Sequence, residues 1–273
     1  MRALACLGLA LLSGCERLLS IHDPIPGDAA IVMPPTSPIL LSEVVLSPTG
    51  GEMIEIVNPS NQEVNLSTYY LSDSGNYYTL PVQPSVQMND FIVKFPPGAK
   101  ISANGVLTIA IDTPTNFATA YGKAPDFSLA DGSMQTIVAN GQSTLTNEGE
   151  PIILFQWDGR SDLVHDVDIM IVGNPAPGPA NEFPNKSGVQ QDGSDPDKMP
   201  SQYAVDRHTI RPQASAPGIG VSTKRILHES GHEVQDGTGN GQSGDDETSE
   251  DTSVTWDTVF TAPTPGASPL APQ

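Results

Sequence analysis

Ile39-Leu-Leu-Ser-Glu-Val-Val-Leu46, a turn at Pro48-Thr-Gly-Gly51 and then Glu52-Met-Ile-Glu-Ile-Val57 make up the stretch that decides the fold. Two short apolar runs rich in Val and Ile flank a Pro/Gly turn, which is how two adjacent strands are written. Glu52-Met53-Ile54-Glu55-Ile56 alternates with a period of two, predicting one face turned inward and one outward. The same texture recurs in Phe91-Ile-Val-Lys-Phe95, Val106-Leu-Thr-Ile-Ala-Ile111, Pro151-Ile-Ile-Leu-Phe-Gln-Trp157 and Leu163-Val-His-Asp-Val-Asp-Ile-Met-Ile-Val172. Asn58-Pro-Ser-Asn61, Pro96-Pro-Gly98, Asn147-Glu-Gly149 and Asp158-Gly159 punctuate them as turns. No helical pattern exceeds two turns. The expectation is an all-β antiparallel sandwich with long Pro/Gly/Asp-rich loops.

Composition sets the bounds. The 273 residues hold 32 Asp+Glu against 12 Lys+Arg, a formal charge of −20. Nucleic-acid affinity needs Lys and Arg to replace phosphate counterions, so no nucleic acid is expected as a partner. Gly and Pro number 25 and 26, short of the roughly 25–30% that marks a disordered chain. A real core framed by long loops follows.

The N-terminus reads as an address. Met1-Arg2, an apolar run from Ala3 to Leu12 and then Ser13-Gly14-Cys15 have the plan of a secretory signal peptide. Leu12-Ser13-Gly14-Cys15 matches the bacterial lipobox, which marks Cys15 for lipidation and residues 1–14 for removal. Several acyl chains at about 0.8 kcal/mol per buried CH₂ make a stable anchor. Cys6 is lost with the signal peptide and Cys15 is used by the lipid, so no disulfide is available to the exported domain. Residues 15–38, with Pro24, Pro26, Pro34, Pro35 and Pro38, are expected to form a semi-extended tether. The expected location is the bacterial cell envelope, lipid-anchored at the outer membrane, with the facing of the domain left open.

Beyond the first strands, Leu41-Ser-Glu-Val-Val-Leu46, Gly51-Glu-Met-Ile-Glu-Ile-Val-Asn-Pro59 and Val64-Asn-Leu-Ser-Thr-Tyr-Tyr-Leu-Ser-Asp73 follow one another in order. With Ile101–Ile111, Phe127-Ser-Leu129, Thr146–Leu154 and Leu163–Asp168, this series resembles the lamin tail domain family. Ser222–Arg225, Trp256 and Pro263-Thr-Pro-Gly266 look like its closing part, so the likeness spans roughly Pro38 to Gly266. Tyr70 stands where the family often has Trp. The resemblance implies an immunoglobulin-like sandwich over residues 39–266, followed by a short tail at 267–273. For a bacterial chain it implies a non-catalytic adhesion, binding or adaptor module, with an unidentified envelope protein or polysaccharide as partner.

Two insertions enlarge that domain: a loop at about 173–220 and an acidic, Gly-rich loop at about 231–251. The first is expected to be excursive, with almost nothing to bury at 182–198 and a short helix at Met199–Arg207 capped by Ser201. Thr252–Phe260 is expected to be the closing strand, with Val254 and Trp256 on one face and Asp257 outside. Trp157 and Trp256 are expected to fill the core.

Three groups of residues could carry chemistry. His228-Glu229-Ser230-Gly231-His232 has the zinc-hydrolase spacing, in which a helix sets two imidazoles on one face and the Glu activates water. Glu247 or Glu250 would then have to serve as third ligand. Ser230-Gly231 inside the turn and the Gly-rich stretch after Gln235 oppose that helix, so His228 and Glu229 are expected on an irregular segment. Asp192, Asp195 and Asp197, and Asp245, Asp246, Glu247, Glu250 and Asp251, offer hard oxygens that suit weakly held calcium. Glu55, Asp73, Asp131, Asp158, Asp162, Asp166 and Asp168 are scattered over strands and turns. No catalytic residue and no cofactor is expected beyond these alternatives.

Overall fold

The strand at Gly149–Gln156 is buried along its whole length, on both faces. That observation organises the architecture, because a sandwich strand ordinarily covers only its inner face. The computed structural model describes residues 37–173, 183–207, 213–229, 231, 233–270 and 272–273. The lipobox and the tether up to residue 36 lie outside them.

Strands β1 (Leu40–Val45), β2 (Met53–Val57), β3 (Val64–Asn65), β4 (Tyr69–Ser72), β5 (Phe91–Lys94), β6 (Lys100–Ile101) and β7 (Val106–Ala110) come first. Helix α1 (Pro114–Tyr121) follows, then β8 (Phe127–Ser128), β9 (Gln135–Ala139), β10 (Gly149–Gln156) and β11 (His165–Gly173). The C-terminal third adds β12 (Gln190–Gln191), β13 (Ser201–Gln202), β14 (Thr223–Lys224) and a helical turn α2 (Thr252–Thr255). Two five-stranded sheets result, ordered β14-β1-β2-β7-β8 and β11-β10-β4-β5-β9, antiparallel except for β7 with β8. The fold is an all-β, immunoglobulin-like sandwich.

Between the sheets lies a core containing Leu41, Val44, Ile54, Ile56, Leu71, Phe91, Val93, Ile109, Ile152, Leu154 and Trp256. Ile54 and Ile56 point into it as the alternation predicts, but the opposite face of β2 is not solvated. Met53 packs with Val45, Ala110 and Phe117 under α1, and Glu55 is fully buried. Helix α1 was not anticipated from the sequence; Thr113 caps Asn116 N–H at 3.2 Å, Pro114 opens the first turn and left-handed Gly122 ends it.

The outer face of the second sheet carries its own apolar layer, with Tyr70, Tyr77, Tyr78, Ile153, Phe155, Ile169 and Tyr203. Tyr203 comes from the long insertion, and half-buried Phe183 and Val189 pack beside it. This corrects the expectation of an excursive loop. Residues 183–207 cover a sheet face that would otherwise expose aromatic rings. The helix expected at Met199–Arg207 is likewise absent: Ser201–Gln202 is β13, paired with Gln190–Gln191.

The closing strand is also corrected. Asp251 accepts from Ser253 N–H at 3.1 Å and starts α2, which turns Val254 out to 39% exposure. Trp256 is nevertheless buried in the core and bridges Arg225 beyond β14. Trp157 is half-buried and packs on the outer layer, 6.2 Å from the Tyr70 ring, so only Trp256 belongs to the core between the sheets. Truncating a buried Trp removes its transfer energy and leaves a cavity. Trp256→Ala is expected to lower unfolding free energy by about 3–5 kcal/mol in urea titration; a change within about 0.5 kcal/mol would contradict its placement.

Candidate functional site

Two buried cations, absent from every sequence-level expectation, hold the C-terminal third in place. Arg225 follows β14 and is fully buried. Its Nη2 pairs with Asp168 of β11, its Nη1 with Glu250 Oε1 at 3.1 Å, and its Nε donates to Leu41 O at 3.0 Å. The guanidinium sits 5.5 Å from the Trp256 ring centre. Burial pushes the Asp168 carboxyl up to about 7 even with Arg225 opposing it.

Lys186 is the second. Its Nζ lies 2.6 Å from Asp166 Oδ2 of β11 and 3.1 Å from Asp206 Oδ1, with every group buried. The Tyr77 hydroxyl also donates to Asp166, and Asn240 Nδ2 donates to Asp206 at 2.7 Å. Burial works against the ammonium, but the two carboxylates outweigh it and raise its pKa. A lone Lys in a polar loop carries no sequence signal of this role.

The structure separates the metal candidates. His228 lies in a bend and Glu229 in irregular chain, as expected, while Ser230 and His232 lie outside the described residues. Gly231 is left-handed (φ +74°), and the His228 carbonyl accepts from Arg225 Nη1 at 2.9 Å. No described residue of this stretch is helical, so the scaffold that would aim two imidazoles at one zinc is not formed by them. Glu250 is engaged by Arg225. In the second acidic group Asp246 accepts from Arg207 N–H at 2.7 Å and Asp251 caps α2. These carboxylates tie the chain together.

The first acidic group fares differently. Asp162, Asp192 and Asp195 bring carboxylate oxygens within 4.8 Å of one another, the single such cluster among the described residues. Asp162 is buried and holds the loop through Gly193 N–H at 2.6 Å and Ser201 N–H at 2.9 Å. Asp195 Oδ2 is shielded and has no hydrogen-bond partner. Asp197, the other expected member, spends Oδ1 on Met199 N–H at 2.8 Å. Three hard oxygens from two loops fit a calcium-class cation. Of the scattered acids, Glu55 accepts from Gly266 N–H, Asp73 from Phe91 N–H, Asp131 from Ser133 N–H and Asp158 from Arg160 N–H. A separate open cavity of about 430 Å³ lies beside Pro38, Val64, Asn65, Thr68, Tyr69 and Gln156.

Comparison with known proteins places this geometry. Residues 33–168 match the family model of the lamin tail domain. This chain carries a lamin tail domain. The matched range ends at Asp168, the residue that grips Arg225, so the closing pieces read at Ser222–Arg225, Trp256 and Pro263–Gly266 fall outside it. The chain is also similar in structure to a DUF4876 family protein from Bacteroides thetaiotaomicron, with 14% identity and a TM-score of 0.37. That likeness covers 76% of this chain and 65%, just under two thirds, of the other. No curated protein matches the chain. Among the described residues, no helix is long and apolar enough to cross a membrane.

Removing one partner of a buried ion pair leaves uncompensated charge in low dielectric. Lys186→Met is therefore expected to cost about 3–5 kcal/mol in urea unfolding, because Asp166 and Asp206 lose their cation. Lys100→Met breaks an exposed pair with Glu63 and should change stability by about 1 kcal/mol or less. Equal effects of the two would contradict the buried network.

Proposed function

We propose that this protein is a lipid-anchored binding module of the bacterial cell envelope, attached through Cys15 and engaging an envelope protein or polysaccharide through its sandwich. A lamin tail domain, an immunoglobulin-like module, fits a non-catalytic structural or binding role. The observation that carries the finer reading is Leu12-Ser13-Gly14-Cys15 behind an apolar run. Behind it, residues 16–36 lead to a sandwich whose described part starts at Ser37. Five prolines between Pro24 and Pro38 suit a spacer that holds a domain off a surface. The deciding experiment is metabolic labelling with an alkyne palmitate in a bacterial host. The wild type should take up label and Cys15→Ser should take up none; equal labelling of both, or of neither, contradicts the anchor.

The cluster of Asp162, Asp192 and Asp195 favours a second reading, in which weakly held calcium stiffens the loop against the sandwich. A cation bound only by the folded state raises stability as its concentration exceeds Kd. Millimolar calcium is expected to raise the Tm of the wild type by a few degrees, on the scale of about 1 kcal/mol, and to leave Asp195→Asn unmoved. An identical response of both proteins would remove this reading.

A further inference from the structure

Lys186, Asp166 and Asp206 form a closed, buried trio on the outer side of the second sheet. Nζ lies 2.6 Å from Asp166 Oδ2, 3.1 Å from Asp206 Oδ1 and 3.5 Å from Asp206 Oδ2. One ammonium faces two carboxylates, so the trio keeps a surplus negative charge where charge is costly. Asp166 stands on β11, while Lys186 and Asp206 belong to the covering insertion. Main-chain bonds fix the spacing of those two: Lys186 N–H donates to Asp206 Oδ2 at 2.7 Å, and Asp206 N–H to Ser187 Oγ at 2.9 Å. The Tyr77 hydroxyl donates to Asp166 Oδ1, the oxygen not taken by Lys186. The Tyr77 ring lies 5.4 Å from Nζ and 5.0 Å from the Phe155 ring, closing that side against water.

We propose that this trio is a self-processing site, in which Lys186 Nζ condenses with the Asp166 carboxyl to form an amide and release one water. The contact already holds nucleophile and carboxyl together, which replaces an encounter with a fixed geometry. The two carboxylates keep Lys186 an ammonium at rest, while burial raises the Asp166 pKa. The reactive form arises when Nζ passes one proton to Asp166 Oδ2, leaving a neutral amine beside a neutral carboxylic acid, a pair that burial favours. Nζ then bonds to Asp166 Cγ, and negative charge gathers on Oδ1 under the Tyr77 hydroxyl. Asp206 takes a proton from the nitrogen. It returns that proton to the departing Oδ2 hydroxyl, the Cγ–Oδ2 bond breaks and water leaves. One N–C bond has replaced one C–O bond, and Asp206 ends as it began.

The pocket suits the product at least as well as the ion pair. Condensation removes one positive and one negative charge together from a water-poor site. The amide oxygen retains Tyr77 as its donor, and the amide N–H retains Asp206 Oδ1 as its acceptor. Asp206 retains Asn240 Nδ2 at 2.7 Å and Lys186 N–H at 2.7 Å, so the remaining carboxylate is not left bare. No cysteine occurs among the described residues, so no disulfide within them can tie the insertion to the sheet. An amide from β11 to Lys186 supplies that tie, and it fastens the cover over Ile153, Phe155 and Ile169.

Tryptic mass mapping of the full chain tests this. Trypsin cuts after Arg160, Lys186 and Lys198, but not after a lysine whose amine is an amide. The wild type should therefore yield residues 161–198 as one product, lighter than its sequence by one water. Fragmentation should place the missing water in a ring closed between Asp166 and Lys186. Lys186→Arg should be cut at 186 and keep every oxygen. Tyr77→Phe removes only the hydroxyl over Oδ1 and should hold at least about tenfold less of the product at a fixed time early after synthesis. The wild-type map decides the matter even if a variant does not fold. Separate wild-type products 161–186 and 187–198, an uncut 161–198 that keeps its water, or a bond to Asp206 in place of Asp166 overturns the proposal. So does equally fast formation of the product in Tyr77→Phe.

Discussion

Arg225 reaches Asp168, and through that one pair the two sheets and the C-terminal third become a single object. Asp168 stands on β11, at the edge of the second sheet, and its Oδ2 accepts from Leu41 N–H of β1 in the first sheet at 2.6 Å. Arg225 closes the same corner from the other side, on Leu41 O and on Glu250, with Trp256 against its face. A buried ion pair is weak evidence for net stability, because desolvation consumes most of the Coulomb gain. It constrains arrangement instead. Two carboxylates on one fully buried guanidinium fix where the chain around residues 225 and 250 meets β11.

The second constraint is the exposed backside that a sandwich strand cannot afford when its sequence is apolar throughout. Ile153, Phe155, Ile169 and Ile171 point away from the core between the sheets and are buried all the same. The insertion carrying Lys186 and Tyr203 covers them, held by Asp166 from the same strand that supplies Asp168. A bulge in the β10–β11 ladder pairs Asp168 with Leu154 and Asp166 with Phe155, so the two acids of β11 turn to opposite faces and anchor two different segments through two different cations. On the first sheet, α1 covers Met53 and Ala110, and the C-terminal segment crosses Glu43 and Glu55 through Thr264 and Gly266. The result is a two-sheet core with a covering layer on each side.

How far this was legible follows from the kind of signal each part leaves. Strands with Val/Ile runs and turn residues between them stand where the sequence puts them, and the block from Leu41 to Asp73 marks the family. Near-continuous runs such as Pro151–Phe155 already hinted at burial on both faces, the signal from which a covering loop could have been inferred. Thr113-Pro114 and Gly122 mark α1 by cap chemistry, yet its eight residues are too few for periodicity to show. Thr252–Phe260 misleads, because β-branched residues suggest a strand while Asp251 caps a helical turn. Lys186 and Arg225 leave no local trace, since a buried cation is defined by acids 20 and 57 positions away in sequence. The calcium-type cluster was half visible: Asp192 and Asp195 are neighbours in sequence, but Asp162 joins them only through the fold.

The account therefore rests on one claim, that the lamin tail domain at residues 33–168 and the chain that follows it unfold together. The two tryptophans report on its two halves: Trp157 directly follows β10 within the matched range and Trp256 lies in the C-terminal segment. Urea unfolding of Trp157→Phe and Trp256→Phe, each followed by the fluorescence of the remaining Trp, measures each half in turn. Once the midpoints are corrected for each substitution by far-ultraviolet circular dichroism of the same sample, the two probes should give one coincident transition with equal slopes. A Trp256 signal that melts well before the circular dichroism, while Trp157 stays native, would show the C-terminal third to be a separate unit and contradict the account.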